Sequence, residues 1–95
     1  MKFDTDPSNK EFDLVTDNLI GEHKALSTTT NINSGDRRSY RMQMEAARQH
    51  NKDAIWIFEG VQNDSHINKV IQYANEYQVN TTIELNGVVL HQITF

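Results

Sequence analysis

Five consecutive apolar residues, Ala54-Ile55-Trp56-Ile57-Phe58, constrain this chain more than any other feature. So short an apolar run, bounded by polar breakers, reads as a strand covered on both faces. Helical patterns flank it. Upstream, Asn33-Ser34-Gly35-Asp36 supplies turn and cap residues ahead of good helix formers from Arg37 to His50, and Asn51-Lys52-Asp53 breaks the run. Downstream, Asn63-Asp64-Ser65 caps a helix whose Ile67, Val70, Ile71, Ala74 and Tyr77 share one stripe. A strand between two helices implies crossover connections, so the expected fold is α/β, with α+β as the alternative.

The C-terminal end adds an antiparallel edge. Segments 81–85 and 88–95 flank Asn86-Gly87, the strongest short-range signal for a two-residue hairpin. That turn sets Leu85 opposite Val88, Ile83 opposite Leu90 and Thr82 opposite His91, so Ile83, Leu85, Val88 and Leu90 share a face. The other face carries Val89, His91, Ile93 and Phe95 beside Thr82 and Glu84. It is too apolar to stay bare, so an N-terminal helix or a second copy of the chain is expected to cover it.

The first part of the chain is less patterned. Residues 1–8, with the sole proline Pro7, read as a flexible leader to a single domain at 9–95. Ser8 with Glu11 fits a capping box, Phe12, Val15 and Leu19 follow helical spacing, and Gly21 can end the helix, giving a helix over 9–20. Phe12-Asp13-Leu14 also tolerates a strand. Residues 24–32 alternate Leu26, Thr28, Thr30 and Ile32, which suits a strand or a polar loop. The whole reads as a small single-domain sandwich: one mixed sheet, a C-terminal hairpin and two to three helices.

Ninety-five residues leave no room for separate cofactor and substrate lobes. With no cysteine there is no disulfide, thiolate nucleophile or cysteine zinc site. No apolar run approaches the roughly 18 residues of a membrane span, and the start Met1-Lys2-Phe3-Asp4 does not resemble a signal peptide. A soluble, cytoplasmic domain without membrane contact is expected.

The net charge of −4 disfavours indiscriminate binding to nucleic acid, yet it is unevenly spread. Residues 36–52 hold five bases against two acids, and every arginine (Arg37, Arg38, Arg41, Arg48) lies there. On a helical wheel Arg37, Arg41 and Arg48 cluster, with Tyr40, Met44 and Ala47 on the adjoining stripe. Arginine forks suit phosphate, Tyr40 could stack on a base, and Ser34 and Gly35 lie where a helix start offers free N–H groups. The plainer reading is a solvated face pairing with acids elsewhere.

Other candidates are sparser. His23, His50, His66 and His91 show no metal-ligand spacing, so no metal and no cofactor are expected. Glu59, directly after the apolar strand and before Gly60, sits where α/β enzymes often keep an acid or base, with Asp64, His66 or His23 as possible partners. No acid pair with a following lysine of the nuclease kind is read, nor a nucleophile elbow, Walker loop or dinucleotide turn. Tyr73 could stand at an interface with Val89, His91, Ile93 and Phe95.

By subtraction, the expected function is a non-catalytic binding or regulatory module: an inhibitor or adaptor working through protein contacts, with itself as a homodimer or with another protein. The alternatives are a module using the arginine helix 36–50 to hold nucleic-acid or nucleotide phosphate, and a small hydrolase or transferase centred on Glu59.

Overall fold

In the computed structural model, which describes residues 14–27 and 31–95, the middle of the chain runs strand, helix, strand, helix, strand. β2 (Leu19–Leu26), β3 (Asp53–Gly60) and β4 (Thr81–Leu85) lie side by side and parallel, joined by α1 (Ser34–Gln49) and α2 (Asp64–Tyr77). β1 (Leu14–Val15) pairs antiparallel with β2, and β5 (Val88–Ile93) antiparallel with β4, so the five strands follow chain order across one mixed sheet. The expected α/β fold with its C-terminal hairpin is present.

Two successive crossovers of one hand deliver both helices to one face of the sheet, where they pack on each other and on the strands. The buried layer is Ile20, Leu26, Ala54, Trp56, Phe58 and Ile83 from the sheet, against Tyr40, Met44 and Ala47 from α1 and Ile67, Val70 and Ala74 from α2. Gln43, fully buried, donates from Nε2 to the carbonyls of Ile20 and Ile55, each at 3.2 Å, and so pins α1 over the seam between β2 and β3. The helix starts from a reciprocal cap: Asp36 N–H donates to Asn33 Oδ1 at 2.8 Å, and Asn33 N–H to Asp36 Oδ2 at 3.2 Å. At the end of β3, Gly60 has φ +105, and a Cβ there would stand 2.3 Å from the Leu26 carbonyl oxygen. Only glycine fits. Asn86 locks the same spot, accepting from Gly60 N–H and donating to Gly60 O, both at 2.9 Å.

Several expectations are corrected. Of the helix over 9–20, residues 9–13 lie outside the described residues, as does the leader; the remainder is β1, a turn at Thr16–Asn18 and the start of β2. The four-residue step from Val15 to Leu19 satisfies a tight strand turn as well as a helix, and Thr16 closes that turn by accepting from Leu19 N–H at 2.9 Å. Gly21 ends no helix. It sits within β2, where a Cβ would meet Ile55 Cγ2 at 2.9 Å and Leu14 Cβ at 3.2 Å. The strand sought at 24–32 begins earlier and stops at Leu26; residues 28–30 lie outside the described residues, and Ile32 packs against the core from the loop before α1.

Among the described residues, helices cover β3 on one face only, and its outward residues Ile55 and Ile57 are half-buried. The hairpin turn and the Leu85–Val88 pair are as expected, but a bulge between Ile83 and Glu84 sets Ile83 opposite His91 and Thr82 opposite Gln92. One extra residue flips the pattern beyond it. Ile93, expected at an interface, instead lies opposite buried Thr81 and packs against the core, leaving Val89 and Phe95 exposed.

Candidate active site

Along β2 the residues facing the helices are Ile20, Glu22, Lys24 and Leu26, opposite Ala54, Trp56, Phe58 and Gly60 of β3. Alternate strand residues share a face, so Glu22 and Lys24 project the same way. They enter a cleft of about 100 Å³ walled by Asp36, Ser39 and Tyr40 of α1, with Trp56 as its floor. The cleft lies over the second half of β2, beside the first turn of the helix that follows. Open α/β sheets place ligands at this end of their parallel strands.

Asp36 holds Lys24. Its Oδ1 lies 3.0 Å from Lys24 Nζ, with the side chains 14% and 31% exposed, while Oδ2 serves the Asn33 cap. Burial works to raise the Asp36 carboxyl, but the hydrogen bonds from Lys24 and the Asn33 backbone, with the charges of Lys24 and His66, outweigh it and hold the group below its ordinary 3.8. Tyr40 closes the inner side. Its hydroxyl lies 2.8 Å from Nδ1 of fully buried His66, and its ring meets Trp56 edge-on with centroids 5.8 Å apart. Burial, then the nearby carboxylates of Asp36 and Glu22, push the Tyr40 phenol well above its ordinary value, so it keeps its proton. Two more polar atoms here are shielded from solvent: Glu22 Oε1 and the Trp56 indole N–H, the latter with no hydrogen-bond acceptor among the described residues. Chemically, this set offers a carboxylate able to take a proton from water and an ammonium able to stabilise an oxyanion, beside a helix start that favours anions.

The arginines divide. Arg37 and Arg38 stand in the first turn of α1 beside Asp36, after exposed Ser34 and Gly35. Arg41 donates to Tyr73 Oη at 3.2 Å with its guanidinium 5.6 Å from the ring centre, and Arg48 donates to the Tyr77 carbonyl at 3.3 Å. These two tie α1 to α2. Tyr40, expected to stack on a base, is 4% exposed and faces inward; Tyr73, expected at an interface, is also 4% exposed, beneath Arg41. Both corrections have one cause, the two-helix layer, which turns the inner sides of α1 and α2 toward each other. Glu59 stands on the opposite face of the sheet, exposed, with His23 Nδ1 at 4.0 Å.

Glu22 and Lys24 escaped the sequence reading because an assumed helix stop at Gly21 and a strand start at Lys24 split them. The signal was present. Glu22-His23-Lys24 is an acid with a lysine two residues on, between apolar Leu19-Ile20 and Leu26. A larger cleft, about 240 Å³, lies around Arg48, Asn51, Lys52, Gln78 and Asn80, but Lys52 there donates to the carbonyls of Thr16 and Asp17. Among the described residues, no three histidine or acidic groups are placed to hold a metal ion, and no helix is long and apolar enough to cross a membrane.

No family model and no curated protein matches the chain. Among solved structures it is similar to Pyrococcus furiosus SfsA in complex with Ca2+, at 17% identity and a TM-score of 0.46, over 80% of this chain and 44% of that one. The chain therefore spans less than half the length of that protein.

Proposed function

We propose that the protein hydrolyses phosphate esters of nucleic acid, with Glu22 and Lys24 in the reacting centre. The observation that carries the reading is the pair itself: an acid and an amine on the inward row of a core strand, where apolar residues would be the stable choice. Charged groups held in such a place are candidates for chemistry. In this reading Glu22 takes a proton from the attacking water, Lys24 stabilises charge on the phosphoryl oxygens, and Asp36 keeps Lys24 in place. Cleft size favours a polymer. At about 100 Å³ it is well below the roughly 300–1,000 Å³ of pockets that enclose a small molecule, so it suits one phosphate group of a ligand that continues outside.

The test is cleavage of labelled single-stranded DNA, duplex DNA and RNA, each with magnesium and with EDTA, by wild type, Glu22→Gln and Lys24→Ala. Cleavage of one substrate class, reduced at least about a hundredfold in both variants while they remain folded, is the expected result. Absence of cleavage in every arm, or undiminished cleavage by the variants, overturns it.

A second reading, self-association, draws on the sheet face that no helix covers among the described residues. Leu14, Ile55 and Ile57 are half-buried there, and Val88, Val89 and Phe95 are 62%, 53% and 55% exposed on or beyond edge strand β5. Sedimentation at rising concentration tests it, and a monomer throughout rejects it.

A further inference from the structure

We propose that Asn86 is a modification site gated by the fold: its amide is lost as ammonia through a ring closed with Gly87, and its bonds to β3 hold that reaction back while the sheet is intact. The site is independent of the phosphate-ester reading. Of the ten asparagines, only Asn86 precedes a glycine. Both residues are exposed at the hairpin turn, and a Cβ at Gly87 would meet nothing within 4 Å. Glycine offers the least hindered backbone N–H, so Asn86 is the asparagine whose side-chain carbonyl carbon is most open to attack by its neighbour.

The sheet opposes that attack. β3 and β4 pair in parallel as far as Phe58 and Leu85, where the chain turns back into the hairpin. Asn86 continues the ladder after the main chain has left it. Its N–H donates to Phe58 O, its Oδ1 accepts from Gly60 N–H, and its Nδ2 donates to Gly60 O, all at 2.9 Å. The planar side-chain amide thus serves Gly60 as the next peptide of a strand would. In ring closure the Gly87 nitrogen bonds to Asn86 Cγ, the Cγ–Nδ2 bond breaks, and Nδ2 leaves as ammonia with the proton from Gly87. On the way Cγ becomes tetrahedral and is drawn onto the turn, so the amide cannot keep both bonds to Gly60. Water then opens the five-membered imide at either carbonyl, leaving aspartate or isoaspartate. Aspartate has no donor for Gly60 O, and isoaspartate adds a methylene to the main chain of a two-residue turn. Either product unlocks the end of β3, where Gly60 stands against the Leu26 carbonyl of β2.

The experiment incubates the whole chain in mildly alkaline buffer, folded and, in parallel, in urea above its unfolding midpoint. Peptide mass spectrometry and an isoaspartate assay follow each asparagine. In urea, Asn86 is expected to be converted before every other asparagine, and Gly87→Ala to slow that conversion. In the folded chain the rate at Asn86 is expected to be about tenfold or more lower, the scale of the two bonds that must break. Asn86→Asp, which carries one of the two products, is expected to unfold at lower urea than wild type or to fail to fold. Equal rates at Asn86 in the folded and unfolded chain overturn the gating. Another asparagine reacting first in urea, or no effect of Gly87→Ala there, overturns the site. Asn86→Asp with the urea midpoint of wild type overturns the unlocking.

Discussion

β2 and β3 are neighbours, each eight residues long, parallel and roofed by the same helix, yet their inner rows differ. β3 turns Ala54, Trp56 and Phe58 inward, all at most 1% exposed. β2 frames its row with Ile20 and Leu26 but sets Glu22 and Lys24 between them. The first row is what burial alone selects, since each large apolar side chain taken out of water contributes about 1.5–3 kcal/mol. The second forgoes that gain at two positions and lines a cleft instead. Two strands in one environment thus separate what folding needs from what it does not, and the excess lies at Glu22 and Lys24.

That contrast can be broken by substitution. Phe58→Ala, on the apolar row, should cost the most, about 3–5 kcal/mol, read from urea unfolding of variant and wild type. A loss under about 1 kcal/mol would mean β3 is not the core strand its burial indicates. Glu22→Leu, one strand away on the same layer, should move stability the other way. A gain of about 0.5–2 kcal/mol with nucleic-acid cleavage abolished is expected, and a clear loss of stability would make Glu22 a structural residue and end the comparison.

Asn33→Ala removes the cap that holds Asp36 beside Lys24 and should cost about 1 kcal/mol. Its cleavage rate should fall further than this small loss of stability explains; an unchanged rate would uncouple the helix cap from the cleft. The smallest effect concerns pH. Because the folded Asp36 carboxyl lies below its ordinary 3.8, its contribution to stability is complete above that value and disappears as pH falls through the lower folded one. Asp36→Asn should therefore lack this part of the acid-induced decline while being less stable near neutrality. Parallel acid limbs in the two proteins would show that the Lys24 contact contributes nothing.

Legibility in the sequence followed local redundancy. α1 was signalled three ways, by the Asn33-Ser34-Gly35-Asp36 cap, the run of helix formers and the Asn51-Lys52-Asp53 break, and it formed where expected. The hairpin was equally over-signalled at its turn, but no local feature announced the bulge at Ile83–Glu84. β2 was missed because its support is not local. Gly21 carries no strand signal of its own, and the strand holds it because Leu14 and Ile55 crowd in from both sides. With β2 broken at Gly21, Glu22 fell in a turn and Lys24 at a strand start, and the pairing that makes a site of them vanished. Glu59 drew notice in their stead, since its place after an apolar run was visible without any partner.

What the sequence by itself determined is the α/β order from residue 33 onward: caps, periodicity and turn residues act within a few positions of where they stand, and a strand between helices has few ways to connect. Tertiary structure alone decided which face each charged residue took. Whether Arg41 meets phosphate or Tyr73, whether Tyr40 stacks on a base or bonds His66, and whether Glu22 stands beside Lys24 all depend on residues 2 to 32 positions away and on the register of β2 against β3. Register and helix placement are settled by burial summed over the whole sheet, and no single segment contains that sum.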